Sequence, residues 1–182
     1  MQRDSQRIYD EFLVSAALTG DAPAWNRLVA RWQPRLLRHA WRLLGDGERA
    51  LDCVQEAWVE IVQGLKRLQD VAAFPAWALQ IVTRRCHRRI PESRRERLHA
   101  DADDCEIAAA APPLDDALDV RTLCQAMQTL PAAHRAALAL FYLDGLGVAE
   151  IAVALDVPPG TVKTRLMHAR QKLRAILEGV ST

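Results

Sequence analysis

The side chains able to do chemistry in this 182-residue chain gather in three places. Arginines stand at positions 84, 85, 88, 89, 94, 95 and 97, a density that suits phosphate better than catalysis. Near the C-terminus, Lys163, Thr164, Met167, His168 and Gln171 share one face of a helical stretch and offer donors and small contacts that suit base edges. The start of that helix adds a partial positive charge that favours phosphate. Asp52, Gln55, Glu56 and Val59 form the third group, on a helical face turned away from an apolar stripe. Catalysis and metal binding find little to work with. Cys53, Cys86, Cys105 and Cys124 lie far apart without C-x-x-C spacing, and His39, His87, His99, His134 and His168 form no ligand pattern. No paired carboxylates, nucleophile–base set or Gly-rich phosphate loop assembles, so no enzyme activity, metal or cofactor is expected.

The elements that must position these groups read as helices throughout, with no convincing alternating strand. A short helix is expected over Asp10–Leu18, closed by Thr19-Gly20. Asp21 then caps a helix with Pro23 in its first turn and Trp25, Leu28, Val29 and Trp32 on its apolar face. Pro34 is expected to kink or restart it before Leu36, Leu37, Ala40, Trp41 and Leu44 carry the face to Gly45. Leu51, Val54, Trp58, Ile61 and Leu65 follow at spacings of 3, 4, 3 and 4, and burying each is worth roughly 1.5–3 kcal/mol before entropy. A loop near Gln69–Ala73 leads to a helix marked by Phe74, Trp77, Ile81 and Val82, whose far end holds the arginines. All five tryptophans read as core.

From about His99 to Asp119 the pattern dissolves into acidic, Ala- and Pro-containing sequence, which reads as a mobile linker. Val120, Leu123 and Met127 resume regular structure, and Pro131 opens an alanine-rich helix ending near Leu143. An all-α chain of two small helical domains is therefore expected, at 8–97 and 120–178, joined by a flexible acidic linker at 98–119. Net charge is only +1, which alone argues against a uniformly basic nucleic-acid binder. Split along the chain, it is +4 over residues 1–90, −5 over 91–122 and +2 over 123–182. Two basic modules flank an acidic connector, so weak affinity for free duplex is expected. No run approaches the ~18 apolar residues of a membrane span and Met1–Ser5 has no apolar h-region, so a cytoplasmic location without membrane insertion is expected.

Asp144–Gly147 is a turn, Val148–Leu155 a short helix and Asp156–Pro159 another turn, before a longer helix from near Gly160 with Val162, Leu166, Ala169, Leu173 and Leu177 facing inward. That is the helix-turn-helix arrangement, whose second helix enters the major groove. Two helices and a turn also occur in many proteins that never touch DNA. The stretch Leu130-Pro131, Arg135, Leu138, Gly145-Leu146, Glu150-Ile151-Ala152, Leu155, Gly160-Thr161-Val162-Lys163, Arg165-Leu166 and Ala169-Arg170 resembles the fourth conserved region of sigma-70 family factors. More narrowly, it is similar to the extracytoplasmic-function (ECF) group. A LuxR-type response regulator carries a related Glu-Ile-Ala and Thr-Val-Lys. Pro34-Arg35-Leu36-Leu37, Leu43-Leu44-Gly45-Asp46, Ala50, Asp52, Val54-Gln55-Glu56 and Phe74, Ala76-Trp77, Ile81 resemble the second conserved region of the ECF group instead, and no strand pattern for a receiver precedes the helix-turn-helix.

The resemblance implies an alternative sigma factor that directs core RNA polymerase to promoters and assists melting. By it, Asp52, Gln55, Glu56 and Val59 would dock on the β′ clamp helices. Lys66, Arg67, Arg84, Arg85, Arg88 and Arg89 would face the single-stranded −10 element. Thr161, Lys163, Thr164, Arg165, Met167, His168 and Arg170 would read duplex −35 DNA, with the β flap as a further polymerase contact and a cognate anti-sigma factor as a further partner. The acidic linker would run through polymerase channels. Five positions depart from the family pattern. Arg84 stands where Asn is frequent, Arg88 replaces an Asp, Asp156 replaces a turn Gly, and Pro158 replaces a capping Ser. His168 stands where Arg is common, so a bidentate guanine contact worth ~1–3 kcal/mol is missing. The alternative reading is a one-component helix-turn-helix regulator that does not bind core polymerase.

Overall fold

The computed structural model describes residues 2–89 and 126–180, and every regular element among them is helical. Helices α1 (Gln2–Leu18), α2 (Ala22–Leu44), α3 (Gly47–Gly64) and α4 (Phe74–Arg89) form an N-terminal module. Short 3-10 turns at Leu65–Arg67 and Val71–Ala73 lead into α4. Helices α5 (Ala132–Tyr142), α6 (Val148–Leu155) and α7 (Pro159–Val180) form the C-terminal one. The expected linker at 98–119, Arg94, Arg95, Arg97, Val120 and Leu123 lie outside the described residues, as does the Leu177 side chain.

Local chemistry sets the boundaries. The Asp21 carboxylate accepts from the Ala24 N–H at 3.0 Å, and Gly45 ends α2 in the left-handed region at φ 70°. Asp46 repeats the device for α3, accepting from the Arg49 N–H at 3.1 Å. Helix α1 starts at Gln2 rather than near Asp10, because residues 5–9 are exposed and carry little apolar periodicity to read. It is tied down by Arg31, which pairs with Asp10 and donates to the Gln6 side chain at 2.7 Å. Pro34 does not restart α2, which runs unbroken to Leu44. Both Pro34 and Ala30 are exposed, so the carbonyl that loses its N–H partner is open to water.

Leu28, Leu36, Val54, Ile61, Phe74 and Val82 are fully buried at the centre of the first module. Trp32 meets Phe74 edge-on at 5.3 Å and Trp25 meets Trp58 at 5.7 Å, the offset geometry that aromatic quadrupoles favour. Trp77 packs half-buried over the end of α3. A Cβ at Gly64 would lie 2.8 Å from its ring, so only glycine lets the chain pass there. Two expected core residues are not core: Trp41 is 45% exposed and Leu51 41%. The inner face of α3 is Ala50, Cys53, Val54, Ala57 and Ile61, whose small members let the helix approach its neighbours and leave Leu51 at the edge. At the end of α2, His39, Ala40, Leu43 and Leu44 take the inner positions and turn Trp41 outward.

The two modules touch. Helix α4 lies along α6 and α2 against α5, and buried apolar side chains of both join one cluster. The seam also carries polar contacts. Arg42 pairs with Asp144 at 3.5 Å, Arg135 donates to the Arg42 carbonyl at 3.1 Å, and Arg7 pairs with Glu150 at 2.7 Å. Buried Thr83 donates its hydroxyl hydrogen to the Ala154 carbonyl at 2.6 Å, so the His39 Nε2 2.8 Å away must be the donor to Thr83. His39 is therefore a neutral Nε2–H tautomer with a bare Nδ1 that has no hydrogen-bond partner.

Burial, reinforced by Arg42 and His87, holds the His39 pKa down to about 3. The sign follows: below pH 6.5 the unfolded chain takes up a proton that folded His39 refuses, so stability falls as pH falls toward 3. Equilibrium denaturation should show His39 contributing a loss of about 2 kcal/mol between pH 7 and pH 5, at about 1.4 kcal/mol per unit. His39→Gln should be less stable at pH 7 yet lack that share of the slope; an unchanged slope would refute the assignment.

Candidate nucleic-acid interface

Helix α3 turns Asp52, Gln55, Glu56 and Val59 outward, as read from their spacing, with Val59 58% exposed. Val62 and Leu51 extend the apolar part of this face. The surface therefore mixes carboxylates with uncovered aliphatic area, while the opposite side of the helix is sealed in the core. Its carboxylates are already engaged. Arg85 bridges Glu56 and Glu60 at 2.9 Å each, and Arg89 meets Glu56 at 2.5 Å and Asp52 at 3.4 Å. The hydrogen bond from Arg85, with the second from Arg89, lowers the Glu56 pKa and keeps it ionised. Glu60 was not among the residues read from sequence, although it sits one turn beyond Glu56 and its spacing marks it for the same face.

Two residue sets expected to serve separate partners are thus one network across α3 and α4. Arg85 and Arg89 lie half-buried against the acidic face, and Arg49 donates to the Arg89 carbonyl at 2.7 Å, which neutralises the last turn of α4. Lys66 and Arg67, on the turn after α3, and Arg88 are exposed. Arg84 is exposed as well, but it reaches into the other module. Its Nε lies 3.3 Å from Asp156 Oδ2 and its Nη2 3.4 Å from Oδ1. Gln80, one turn earlier, donates to the same carboxylate at 3.0 Å.

In the C-terminal module, α6 and α7 meet at a tight turn whose Asp156 adopts φ 57°, ψ 47°. It is the one non-glycine residue at positive φ among those described, and Asp is among the few that tolerate this conformation. Pro158 precedes α7 and Pro159 takes the first helical position, where a missing N–H leaves no bond unmade. Val162, Leu166, Ala169 and Leu173 are buried as expected. Lys163 is exposed near the helix start, Thr161, Met167 and His168 are half-buried, and Thr164 donates back to the Gly160 carbonyl at 3.1 Å. His168 packs edge-on against His134 at 5.9 Å.

Two residues of the expected reading face point elsewhere. Arg165 is 3% exposed and belongs to the buried side. Its position explains this, three residues after Val162 and four before Ala169, both on the inner stripe. Arg170 donates to the Tyr142 hydroxyl at 2.9 Å and lies 5.5 Å from the Phe141 ring centre, pinning α7 to α5. Without these two, the expected reading face of α7 reduces to Thr161, Lys163, Thr164, Met167 and His168.

No helix of the described residues is long and apolar enough to cross a membrane, and no cluster of three metal-ligating side chains occurs among them. Residues 28–96 match the profile of sigma-70 region 2, and residues 121–173 that of sigma-70 region 4. The chain is 32% identical over 167 residues to the ECF RNA polymerase sigma factor SigE of Mycolicibacterium smegmatis, covering 87% of this chain and 65% of that protein. It is 28% identical over 183 residues to the ECF RNA polymerase sigma-E factor of Escherichia coli, covering 93% and 94%. Among solved structures, CnrH in complex with the cytosolic domain of CnrY superposes with a TM-score of 0.62 at 22% identity, over 94% of this chain and 98% of that one. Sigma factor RpoE with the anti-sigma factor NepR from Bartonella quintana gives 0.61 at 23%, over 85% and 96%. These last two establish likeness of fold. With region 2 and region 4 matched in order on the two helical modules, the chain belongs to the ECF group of the sigma-70 family.

Proposed function

We propose that this chain works as an alternative sigma factor: it joins core RNA polymerase, directs it to particular promoters and helps to open them. The observation that carries the reading is the division of α3, sealed in the core on one side and bearing Asp52, Gln55, Glu56 and exposed Val59 on the other. A helix so divided fits a polymerase surface such as the β′ clamp helices, with aliphatic area for affinity and charge for register. The working modules are 8–97 and 120–178, joined by 98–119. Lys66, Arg67, Arg84 and Arg88 take the −10 strand. Arg85 and Arg89 must leave Glu56, Glu60 and Asp52 before they can take phosphate, so DNA and the acidic face compete for them. Thr161, Lys163, Thr164, Met167 and His168 read the −35 duplex. Arg165 and Arg170 hold the reading helix in place. The chain catalyses nothing itself and acts in the cytoplasm, where the polymerase does the chemistry. A cognate anti-sigma factor is the further partner, supported by the RpoE–NepR neighbour.

Co-purification with core polymerase tests the first half. Val59→Asp disturbs no core contact and no ion pair, and it should weaken association at least about tenfold, the scale of an interface hot spot. Asp52→Ala with Glu56→Ala should do the same; wild-type chain that never associates would overturn the reading and favour a free-standing DNA-binding regulator.

Lys163→Ala tests the second half. Binding of polymerase holoenzyme to a responsive promoter should weaken across sequences, and its log–log salt slope should fall by about 1. An unchanged slope would remove Lys163 from the phosphate contacts.

A further inference from the structure

The two most informative departures from the family pattern meet each other. Arg84 and Asp156 stand where Asn and Gly are frequent, and they lie 72 residues apart in sequence, yet they pair across the seam at 3.3 Å. The contact is built, since three residues of one α4 face converge on one end of α6. Gln80 donates to Asp156 at 3.0 Å, Thr83 donates to the Ala154 carbonyl at 2.6 Å, and Arg84 completes the set. Positions 80, 83 and 84 are one helical turn, so a single rotation of α4 aims all three. The target has its own need of donors. Carbonyls in the last turn of a helix lack intrahelical partners, and that end carries partial negative charge that favours a cation such as Arg84. Elsewhere the seam is less filled, with a cleft of about 270 Å³ between α1, α2, the first turns of α4 and the α5–α6 turn.

We infer that Gln80, Arg84 and Asp156 form an electrostatic latch between the modules, which holds the −10 side of α4 against the turn of the helix-turn-helix. This rests on the proposed function for what the latch opposes, though the latch itself is defined without polymerase or DNA. In the latched chain Arg84 is committed to Asp156, so a −10 phosphate must displace a carboxylate to reach it. Release frees α4 for DNA and lets the reading module move to a separate −35 site. A partner that binds the open form therefore binds more weakly by the fraction of chain held closed.

Single-molecule energy transfer on the full chain tests this, with dyes at exposed Gln63 and Gln171 and Cys105 and Cys124 replaced by Ser. Asp156→Asn and Asp156→Gly both keep the left-handed turn accessible and remove the charge. Each should raise the open-to-closed ratio roughly two- to fivefold at low salt, the range of an exposed ion pair. At high salt the difference from wild type should vanish. Arg84→Asp should open the chain further beside Asp156, and much less in the Asp156→Asn chain, where no like charge is left to repel it. Neutral variants that leave the ratio unchanged, or an Arg84→Asp effect that is the same with and without Asp156→Asn, would overturn the latch. Association with core polymerase, read separately, tells that failure from failure of the sigma reading. Asp156→Gly should bind core about as much more tightly as it opens.

Discussion

Helix α4 meets three neighbours at once, and the rest of the molecule depends on how it shares its circumference among them. Phe74, Ala78, Leu79, Ile81, Val82 and Cys86 go into the core. Arg85 and Arg89 lean on the carboxylates of α3, and Gln80, Thr83 and Arg84 meet the end of α6. With 3.6 residues per turn these arcs cannot be adjusted separately. The packing of Phe74 and Val82 fixes the rotation of α4, and that rotation decides which arginine faces the acidic surface and which faces the other module. Thr83 lies where the core arc meets the seam, and its bonds to His39 and Ala154 join both arcs in one buried relay.

The same constraint resolves the charge balance. A net charge of +1 counts against nucleic-acid binding only if the cations are free to act together. Arg84, Arg85 and Arg89 are each paired with a carboxylate, and Arg31, Arg35 and Arg42 are paired as well. The pairs at the surface are individually weak and salt-sensitive, so they can be exchanged for phosphate at little cost once a larger surface has docked. Such an arrangement suits a chain that meets its DNA together with a polymerase.

Much of the fold was legible. Asp21 and Gly45 announce helix ends because capping is local chemistry, and the inner stripe of α7 follows from spacing alone. The outward face of α3 was legible for the same reason. Some of what failed did so for tertiary causes. Leu51 and Trp41 are apolar and correctly spaced, yet the small residues beside them let helices approach closely and took the inner positions. Arg165 entered the reading set through the family resemblance, although its position relative to Val162 and Ala169 placed it inside. The resemblance to a sigma factor rested on motif order over two separated stretches, which survives such local errors.

The amino-acid order by itself determined the helices, their caps, the helix-turn-helix and the two families of exposed polar residues, because each depends on contacts within a few residues. Only the tertiary structure decided who pairs with whom. Arg84 with Asp156, Arg85 with Glu56 and Glu60, and Thr83 with Ala154 join residues far apart in the chain, and nothing in their local spacing distinguishes a solvated charge from a committed one. Those pairings are set by the rotation and close approach of packed helices, which are properties of the whole core.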